Sequence, residues 1–247
     1  MRYGPPIVVF IAVVLIWELV TNRSGRHVIP APSEIVNAAT KQFDYIQRSA
    51  LQTIYEALGG FVIGTIGGIL VAFATARWVT ARDVLLPVAI ASSAVPIIAI
   101  APILNNWFGV LNPLSKMMMA ALLVFFPVMI NVTRGLVEVQ PASVELMRSY
   151  AASEAQVLRK LRVPNMLPFL FTALKVGATL AFIGAIVGEF FGGSSDVLGR
   201  VVMTAMSSGS YDLAWAGIFV GAVGAIVAYI VITLVERVAI PWHSSQN

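Results

Sequence analysis

Few residues of this chain carry chemically versatile side chains, and their placement excludes several kinds of site. Cysteine is absent, so disulfides, thiolate metal sites and cysteine nucleophiles are excluded. The two histidines, His27 and His243, lie outside the apolar stretches of the sequence. Ser-His-Asp catalysis or a histidine metal site inside those stretches has no candidate residues, so we predict no catalytic centre and no metal or cofactor bound by this chain.

Among the charged residues near the apolar stretches, we single out Lys175, inside one stretch, and Glu189, at the end of the same stretch. A charge inside a membrane helix is by default a candidate functional residue. Lys175 lies two helical turns in, about 10 Å, which a lysine can span by snorkelling. We therefore favour snorkelling or a helix–helix contact over binding of a solute. Glu189 closes its stretch and either contacts a solute at the outer mouth or is an ordinary interfacial carboxylate.

A third candidate set lies where an apolar stretch is broken by proline. Ser92, Ser93 and Pro96 fall in the sequence LLPVAIASSAVPIIAIAPIL. Breaks of this kind survive in a membrane where the freed backbone groups meet protein or a water-lined cavity. The hydroxyl and carbonyl groups could line a path for a polar solute, and close helix packing by small residues is the equally good alternative.

The composition indicates whether water or lipid surrounds the chain. Of 247 residues, 58% are hydrophobic and 11% are charged, with a mean hydropathy of +0.86. Soluble domains carry about 25% charged residues. The chain therefore has too little polar surface for water, and we predict that it lies in a lipid bilayer. Its net charge of +4 comes from basic residues at the ends of apolar stretches, which favours a topological role over nucleic-acid binding.

The apolar stretches predict an all-α polytopic membrane protein, a single domain over residues 1–247, with about six transmembrane helices. A spanning helix needs about 20 mostly apolar residues. The predicted spans are 5–20, 58–76, 84–104, 116–132, 168–187 and 214–235. With the N-terminus inside, nine basic residues are cytoplasmic and six are outside, which favours that orientation. The second span carries small residues at helical spacing, suited to close helix packing: Gly59, Gly60, Gly64, Gly67 and Gly68.

A polar insert over residues 137–164 separates the fourth span from the fifth. We predict two short helices, the first started by Pro141 and Ser143. Ser153 is suited to cap the second, and Pro164 is predicted to end it. The insert is either a docking element for a soluble partner or a solvated connector, and these features alone do not decide between the two.

The insert resembles the cytoplasmic coupling loop of ABC importer permeases. That loop carries an E-A-A-x-x-x-G core and a later L-P. Here the sequence from Glu145 to Ala151 reads ELMRSYA, and prolines follow at Pro164 and Pro168. Ala151 stands where the family usually has glycine. The resemblance continues through VIPAPSEIV, LGGFVIGTIGGILVAF, VPIIAIAPILNNWFG and FFPVMINVTRGL. It is greatest to the branch that carries nitrate, taurine, sulfonates, thiamine-precursor pyrimidines and riboflavin, and FTALKVGATLAFIGAIVGEFFGG favours the aromatic nitrogen heterocycles.

The resemblance implies a type I ABC importer permease in the bacterial inner membrane, a homodimer that works with two further proteins. A separate ATPase would use ATP and Mg and receive the insert. A separate extracytoplasmic binding protein would deliver the solute. The chain has no G-x-x-x-x-G-K-[ST] phosphate loop of its own, so we do not expect it to be an enzyme. The positions that the resemblance assigns to ATPase coupling are Glu145, Arg148, Ser149, Tyr150, Ala151, Ala152, Ser153, Glu154, Arg159 and Pro164.

Two other functions compete with this interpretation. An ion-coupled secondary transporter would carry acidic or histidine relays inside its spans, and the spans hold only Lys175 and, at one end, Glu18, without a central carboxylate pair. An integral membrane enzyme would need a catalytic constellation at the membrane surface, and the sequence offers none. The sequence does not identify the solute.

Overall fold

The computed structural model describes residues 4–24, 28–93 and 95–242; for residues 4–6, 22–24, 79–83, 85 and 93 it describes the backbone only. The described residues form helices joined by short connections, without a strand. In chain order the helices are α1 (Gly4–Ser24), α2 (Pro32–Lys41), α3 (Phe43–Arg77), α4 (Val79–Ser93), α5 (Ile97–Phe108), α6 (Pro113–Val137), α7 (Pro141–Ser149), α8 (Glu154–Val157), α9 (Val163–Phe190), α10 (Leu198–Ser207) and α11 (Tyr211–Ala239). A π-helical turn, Leu158–Arg162, joins α8 to α9.

Four helical segments within the described residues are long and apolar enough to cross a membrane. They are Phe43–Arg77, Pro113–Val137, Glu154–Phe190 and Tyr211–Ala239. A fifth span results if Leu86–Ser92 and Ile97–Phe108, bent by 91°, are counted as one broken crossing. The predicted first span falls in α1, whose apolar part Ile7–Thr21 is shorter than these spans. The all-helical membrane architecture is thus confirmed.

The break in the predicted third span lies at only one of its three prolines. Pro96 is the N-cap of α5 and lies in the break between Leu86–Ser92 and Ile97–Phe108. Pro87 and Pro102, which we also expected to interrupt the span, lie inside α4 and α5. A helix tolerates an internal proline in a membrane when neighbouring groups satisfy the carbonyl that the missing N–H leaves free.

Helix α6 forms the centre of the bundle, between α3 and α9. Its side chains Val124, Val128, Val132 and Leu136 recur at helical spacing, and none is accessible to solvent. Residues of α3 and α9 complete this core, among them Ala57, Ala72, Ala173, Ala181 and Phe182. A helix packed on two sides in this way holds the ends of its neighbours in fixed positions, including the ends that flank the insert.

Glycines let α3 approach α6 closely, as the small-residue spacing predicted. A Cβ at Gly64 would lie 2.5 Å from the Ala121 carbonyl oxygen, and one at Gly68 would lie 2.9 Å from the Phe125 carbonyl oxygen. Gly67, on another face of the same helix, would meet only the Phe125 ring at 3.5 Å. Close backbone approach therefore depends on a subset of the glycine-rich stretch.

From its residue type and position, Ser33 is predicted to be the N-cap of α2, and the structure has a different cap. Ala31 is the N-cap, and the Glu34 carboxylate accepts a hydrogen bond from its backbone N–H at 2.9 Å. Ser33 instead donates its hydroxyl proton to Glu18 of α1 at 2.6 Å. The serine thus ties α1 to α2, a contact that local capping rules do not reveal.

Candidate functional site: an exposed helical insert

The insert projects from the bundle, and the other described residues cover its first helix only in part. Helix α7 has nine residues, and none of them is buried. Two large side chains at its end are conspicuously exposed, Leu146 by 58% and Tyr150 by 79%. Single exposed apolar residues are ordinary on a soluble protein, but a polar insert with an exposed tyrosine and leucine one turn apart is suited to binding a partner.

The chain leaves α7 through a Schellman motif centred on Ala151. The Ala151 N–H donates to the Arg148 carbonyl at 2.9 Å, and the Ala152 N–H donates to the Met147 carbonyl at 3.0 Å. Ala151 has φ of +53°, the only positive value at a described residue other than glycine. The position where the resembling family has glycine is therefore one where the backbone itself favours glycine.

We expect Ala151→Gly to stabilise the end of α7. An alanine in the left-handed conformation costs about 1–2 kcal/mol, and glycine removes that penalty while adding roughly 0.5–1 kcal/mol of unfolded-chain entropy. Amide hydrogen exchange of residues 141–152, followed by mass spectrometry, should become slower by a few-fold. Ala142→Gly, in the first turn of the same helix, is the matched control and should accelerate exchange. Faster exchange in Ala151→Gly would contradict the strained geometry.

The second helix of the insert begins as the sequence predicted. Ser153 is the N-cap of α8, its hydroxyl accepts from the Gln156 N–H, and the Gln156 side chain accepts from the Ser153 N–H at 2.8 Å. Arg148 of α7 and Glu154 of α8 form an ion pair of 3.8 Å across the turn. Both side chains are mostly exposed, so this pair contributes little to stability.

Pro164 does not end the second helix, contrary to the sequence prediction. The helix continues through the π turn into α9, so that one helical segment runs over Glu154–Phe190. The Val163 N–H donates to the Leu158 carbonyl, five residues back, and Pro164 follows within the first turn of α9. Proline is tolerated there because the π turn changes the hydrogen-bond register just where the proline removes a donor.

The base of the insert is fastened to both flanking spans. The Asn165 side chain donates to the Gly135 carbonyl at 2.7 Å and to the Glu138 carbonyl at 3.2 Å. Gly135 allows this approach, since a Cβ there would lie 2.6 Å from the Met166 Cα. The end of α6 and the start of α9 therefore form one junction, through which a displacement of the insert reaches both helices.

The residues assigned to coupling lie together on this insert. Glu145, Arg148, Ser149, Tyr150, Ala151, Ser153, Glu154 and Arg159 are exposed, and Ala152 and Pro164 are half-buried. Contact of this surface with an ATPase stays a prediction. A cavity of about 430 Å³ adjoins it, and its lining includes Arg77, Glu154 and Arg162.

The residues proposed for a solute path do not form one site. Ser92 is half-buried at the end of α4, Pro96 is exposed, and the Ser93 side chain lies outside the described residues. Lys175 donates to Glu236 of α11 at 2.8 Å, so the helix–helix contact favoured from the sequence is confirmed. Glu189 is fully buried rather than exposed at an outer mouth. The part that any of these residues plays in a path stays a prediction.

A second charged cluster escaped the sequence analysis. Glu56 of α3, Lys116 of α6 and Glu189 of α9 are each at most 2% exposed, and Glu56 and Glu189 are neighbours. The sequence analysis expected no central carboxylate pair, and this pair lies instead at the end of the bundle opposite the insert, where the sequence did not indicate it. Lys116 was interpreted as an outside loop charge because it begins a predicted span. The only signal was Glu56 itself, a charge two residues before a glycine-rich stretch.

Comparisons with known proteins agree on one family. The family profile described as "Binding-protein-dependent transport system inner membrane component" matches residues 64–240. A probable ABC transporter permease of Haemophilus influenzae is 31% identical, covering 89% of both chains. The formylaminopyrimidine transport permease ThiX of Halalkalibacterium halodurans is 28% identical over 98% of this chain and 96% of its own. The riboflavin transport permease RibX of Chloroflexus aurantiacus is 29% identical over 98% and 91%.

Among solved structures, a chain of the MetNI methionine ABC transporter in an inward-facing conformation has the same fold. The TM-score is 0.60 at 17% identity, and the match covers 79% of this chain and 94% of that chain. Further relatives bear the names of aliphatic sulfonate and taurine permeases, so the names of the relatives do not converge on one solute.

Proposed function

Because the chain belongs to the family of binding-protein-dependent transport system inner membrane components, we propose that a separate ATPase drives solute import through it by gripping the insert. The chain is an ABC importer permease, a multi-pass protein of the inner membrane. We propose both the route by which the energy of ATP reaches this permease and the class of solute that it carries.

The observation that carries the coupling step is the exposure of α7 between two spans. The described residues leave most of the Leu146 and Tyr150 side chains uncovered. Tyrosine is enriched among residues that dominate binding energy, because a rigid aromatic ring buries a large area at little entropic cost. A cleft on the ATPase that receives this helix would cover both side chains and also hold the basic residues nearby.

The insert is built to transmit a displacement to the spans. Helix α8, the π turn and α9 are continuous, and Asn165 joins α9 to the end of α6. When nucleotide binding moves the ATPase, the insert would move with it as a rigid body. Helices α6 and α9 would then tilt together, which is a rigid-body route to alternating access.

A second copy of this chain completes the proposed path. The broken third span lies on the outside of the bundle, with Val95 exposed by 50% and Ile98 by 58%. A path lined by the bend at Pro96 is open on that side in a single chain. Two copies facing each other would enclose it, and the freed backbone groups at the bend would then face a protected cavity.

The proposed solute is an aromatic nitrogen heterocycle, a thiamine-precursor pyrimidine or riboflavin. Support comes from the names of two relatives that match nearly the whole chain, ThiX and RibX. Taurine, sulfonates and nitrate are the competing solutes, since permeases named for sulfonates and taurine also match.

Co-purification tests the proposal. We would purify the tagged chain from its native membrane in mild detergent and identify bound proteins by mass spectrometry. A stoichiometric ATPase is expected with the wild-type chain. Leu146→Asp combined with Tyr150→Asp should reduce its recovery by at least about tenfold, since each buried anchor contributes about 2 kcal/mol or more.

The control places the same substitution at the opposite end of the bundle. Leu111 is 73% exposed in the connection between α5 and α6, and Leu111→Asp should leave the ATPase bound. Equal recovery of the ATPase with the Leu146→Asp, Tyr150→Asp double variant would overturn the coupling proposal. Any co-purified binding protein is then titrated with the pyrimidine, riboflavin, taurine and nitrate. Binding of taurine or nitrate alone would overturn the solute class and leave the permease assignment standing.

A further inference from the structure

Three charged side chains from three different spans meet inside the bundle at the end opposite the insert. Glu56 is 2% exposed, Lys116 is 1% exposed and Glu189 is not exposed at all. The two carboxyl groups lie within hydrogen-bonding reach of each other. The coupling step does not use this cluster, and Glu189 is its only member that the sequence analysis considered for a solute path.

In each carboxyl group, one oxygen accepts a hydrogen bond from a described residue and the other oxygen does not. Glu56 accepts from the Gln52 side chain at 3.1 Å, and Glu189 Oε2 accepts from the Gly199 N–H at 2.6 Å. The other two oxygens, Glu56 Oε2 and Glu189 Oε1, are buried and have no hydrogen-bond partner among the described residues. Buried acceptors without donors are rare, and two in neighbouring groups indicate that a donor between them is unaccounted for.

The charge count leads to the same conclusion. Two carboxylates against one ammonium leave a net charge of −1 inside the bundle, where an uncompensated ion costs several kcal/mol. The other side chains that face the cluster are neutral: Gln52, Thr53 and Asn105. Arg200, the charged residue of α10, is exposed. One proton on the pair removes both the excess charge and the two orphan acceptors.

We propose that Glu56 and Glu189 form a proton-binding site, in which one proton on Glu56 Oε2 is donated to Glu189 Oε1. Glu189 is the ionised partner because more donors stabilise its charge: the Gly199 N–H and the Thr53 hydroxyl. Glu56 has only the Gln52 amide. The cluster is then neutral, with the Glu189 carboxylate opposite the Lys116 ammonium. Like charges this close cannot both ionise at little cost, a pattern known from paired carboxylates in proteases.

The side chains of the proton-binding site also hold the outer end of the bundle together through hydrogen bonds. The Thr53 hydroxyl oxygen accepts from the Leu198 N–H at 3.0 Å, so Thr53 and Glu189 together hold the first residues of α10. Lys116 donates to the Val110 carbonyl, and Asn105 donates to the Phe191 carbonyl at 3.2 Å. The site thus links α10 and two outer connections to the three spans that supply its side chains.

Infrared spectroscopy of the purified full-length chain in lipid nanodiscs tests the inference directly. At neutral pH we expect the carbonyl-stretch band of a protonated carboxyl group, with its shift in D2O. Glu56→Gln should abolish the band. Glu236→Gln is the matched control, because Glu236 is also buried but forms an ion pair with Lys175 and not with a second carboxyl group among the described residues, and it should leave the band in place. A wild-type spectrum without the band, or a band that survives Glu56→Gln, would overturn the proposal.

Stability tests the charge count independently. In Glu56→Gln the side-chain amide can still donate to Glu189 and carries no charge. The melting temperature of this variant should therefore lie within about 4 °C of that of the wild type. Glu56→Gln combined with Glu189→Gln leaves Lys116 buried without a counter-ion, so the melting temperature of the double variant should fall by about 6–20 °C. Adding Lys116→Met should restore much of the loss. A marked stabilisation by Glu56→Gln alone would instead indicate that both carboxylates were ionised, which contradicts the shared proton.

Discussion

Replacing Gly64 with alanine is expected to destabilise the helix bundle by about 3 kcal/mol, because α3 and α6 are in backbone contact there. The added Cβ would lie 2.5 Å from the Ala121 carbonyl oxygen and 2.9 Å from the Val124 Cβ. Neither neighbour is the free end of a flexible side chain, so the two helices must separate. Separation would expose the Val124 layer of the core and displace α9, which packs on the other side of α6.

The same substitution one turn away provides the control. Gly67 lies on α3 three residues later, and a Cβ there would meet only the Phe125 ring at an ordinary 3.5 Å. We expect Gly67→Ala to change stability by less than about 1 kcal/mol, since it adds helix propensity without overpacking. Unfolding of both variants in mixed detergent micelles measures the difference. Equal losses at the two positions would show that the glycines matter for backbone flexibility and not for the approach of α6.

Removing Lys175 is expected to destabilise the bundle by about 3–5 kcal/mol, because it leaves the Glu236 carboxylate buried without a partner. The two groups are 2.8 Å apart, with side-chain exposures of 20% for Lys175 and 7% for Glu236. They join α9 to α11, and α9 continues from the insert. Lys175→Met should therefore also lower solute uptake, since the force from the insert would reach α9 without its tie to α11.

Removing the Glu236 carboxylate should cost less stability than removing Lys175. In Glu236→Gln the remaining charge is on a long lysine, whose ammonium can snorkel toward water, so we expect a loss of about 1–2 kcal/mol. The double variant Lys175→Met with Glu236→Gln should recover part of the Lys175→Met loss. Glu154→Gln breaks the exposed 3.8 Å pair with Arg148 and should cost less than about 1 kcal/mol. A Lys175→Met variant as stable as wild type would refute a structural role for the ion pair.

Capping and spacing rules correctly predicted features that depend on residues within a single helix. The helix-capping role of Ser153 follows from the residues within one turn of it, and the structure contains that capping box. The bend at Pro96 and the close packing of the glycine stretch were also predictable, because each depends on a residue type at a short spacing. The family followed from motifs distributed through the chain, and the profile match over residues 64–240 establishes it.

Local rules failed at Pro164 because of a π turn in the same helix, and at Ser33 because of a contact from another helix. Pro164 was expected to end a helix, and the π turn before it allows the helix to continue into α9. Ser33 was expected to cap α2, and Glu18 of α1 binds its hydroxyl instead. In each case the predicted local role was possible, and the structure adopts a different one.

The sequence by itself determined that this chain is helical, that it lies in a membrane and that it carries a polar insert. These properties depend on composition and on spacing within about one or two helical turns. Only the tertiary structure decided which charges meet. Glu56 and Glu189 are 133 positions apart in the sequence, and Lys175 and Glu236 are 61 apart. A single helix leaves such a group facing lipid at a high cost, so its partner is fixed only when the helices pack.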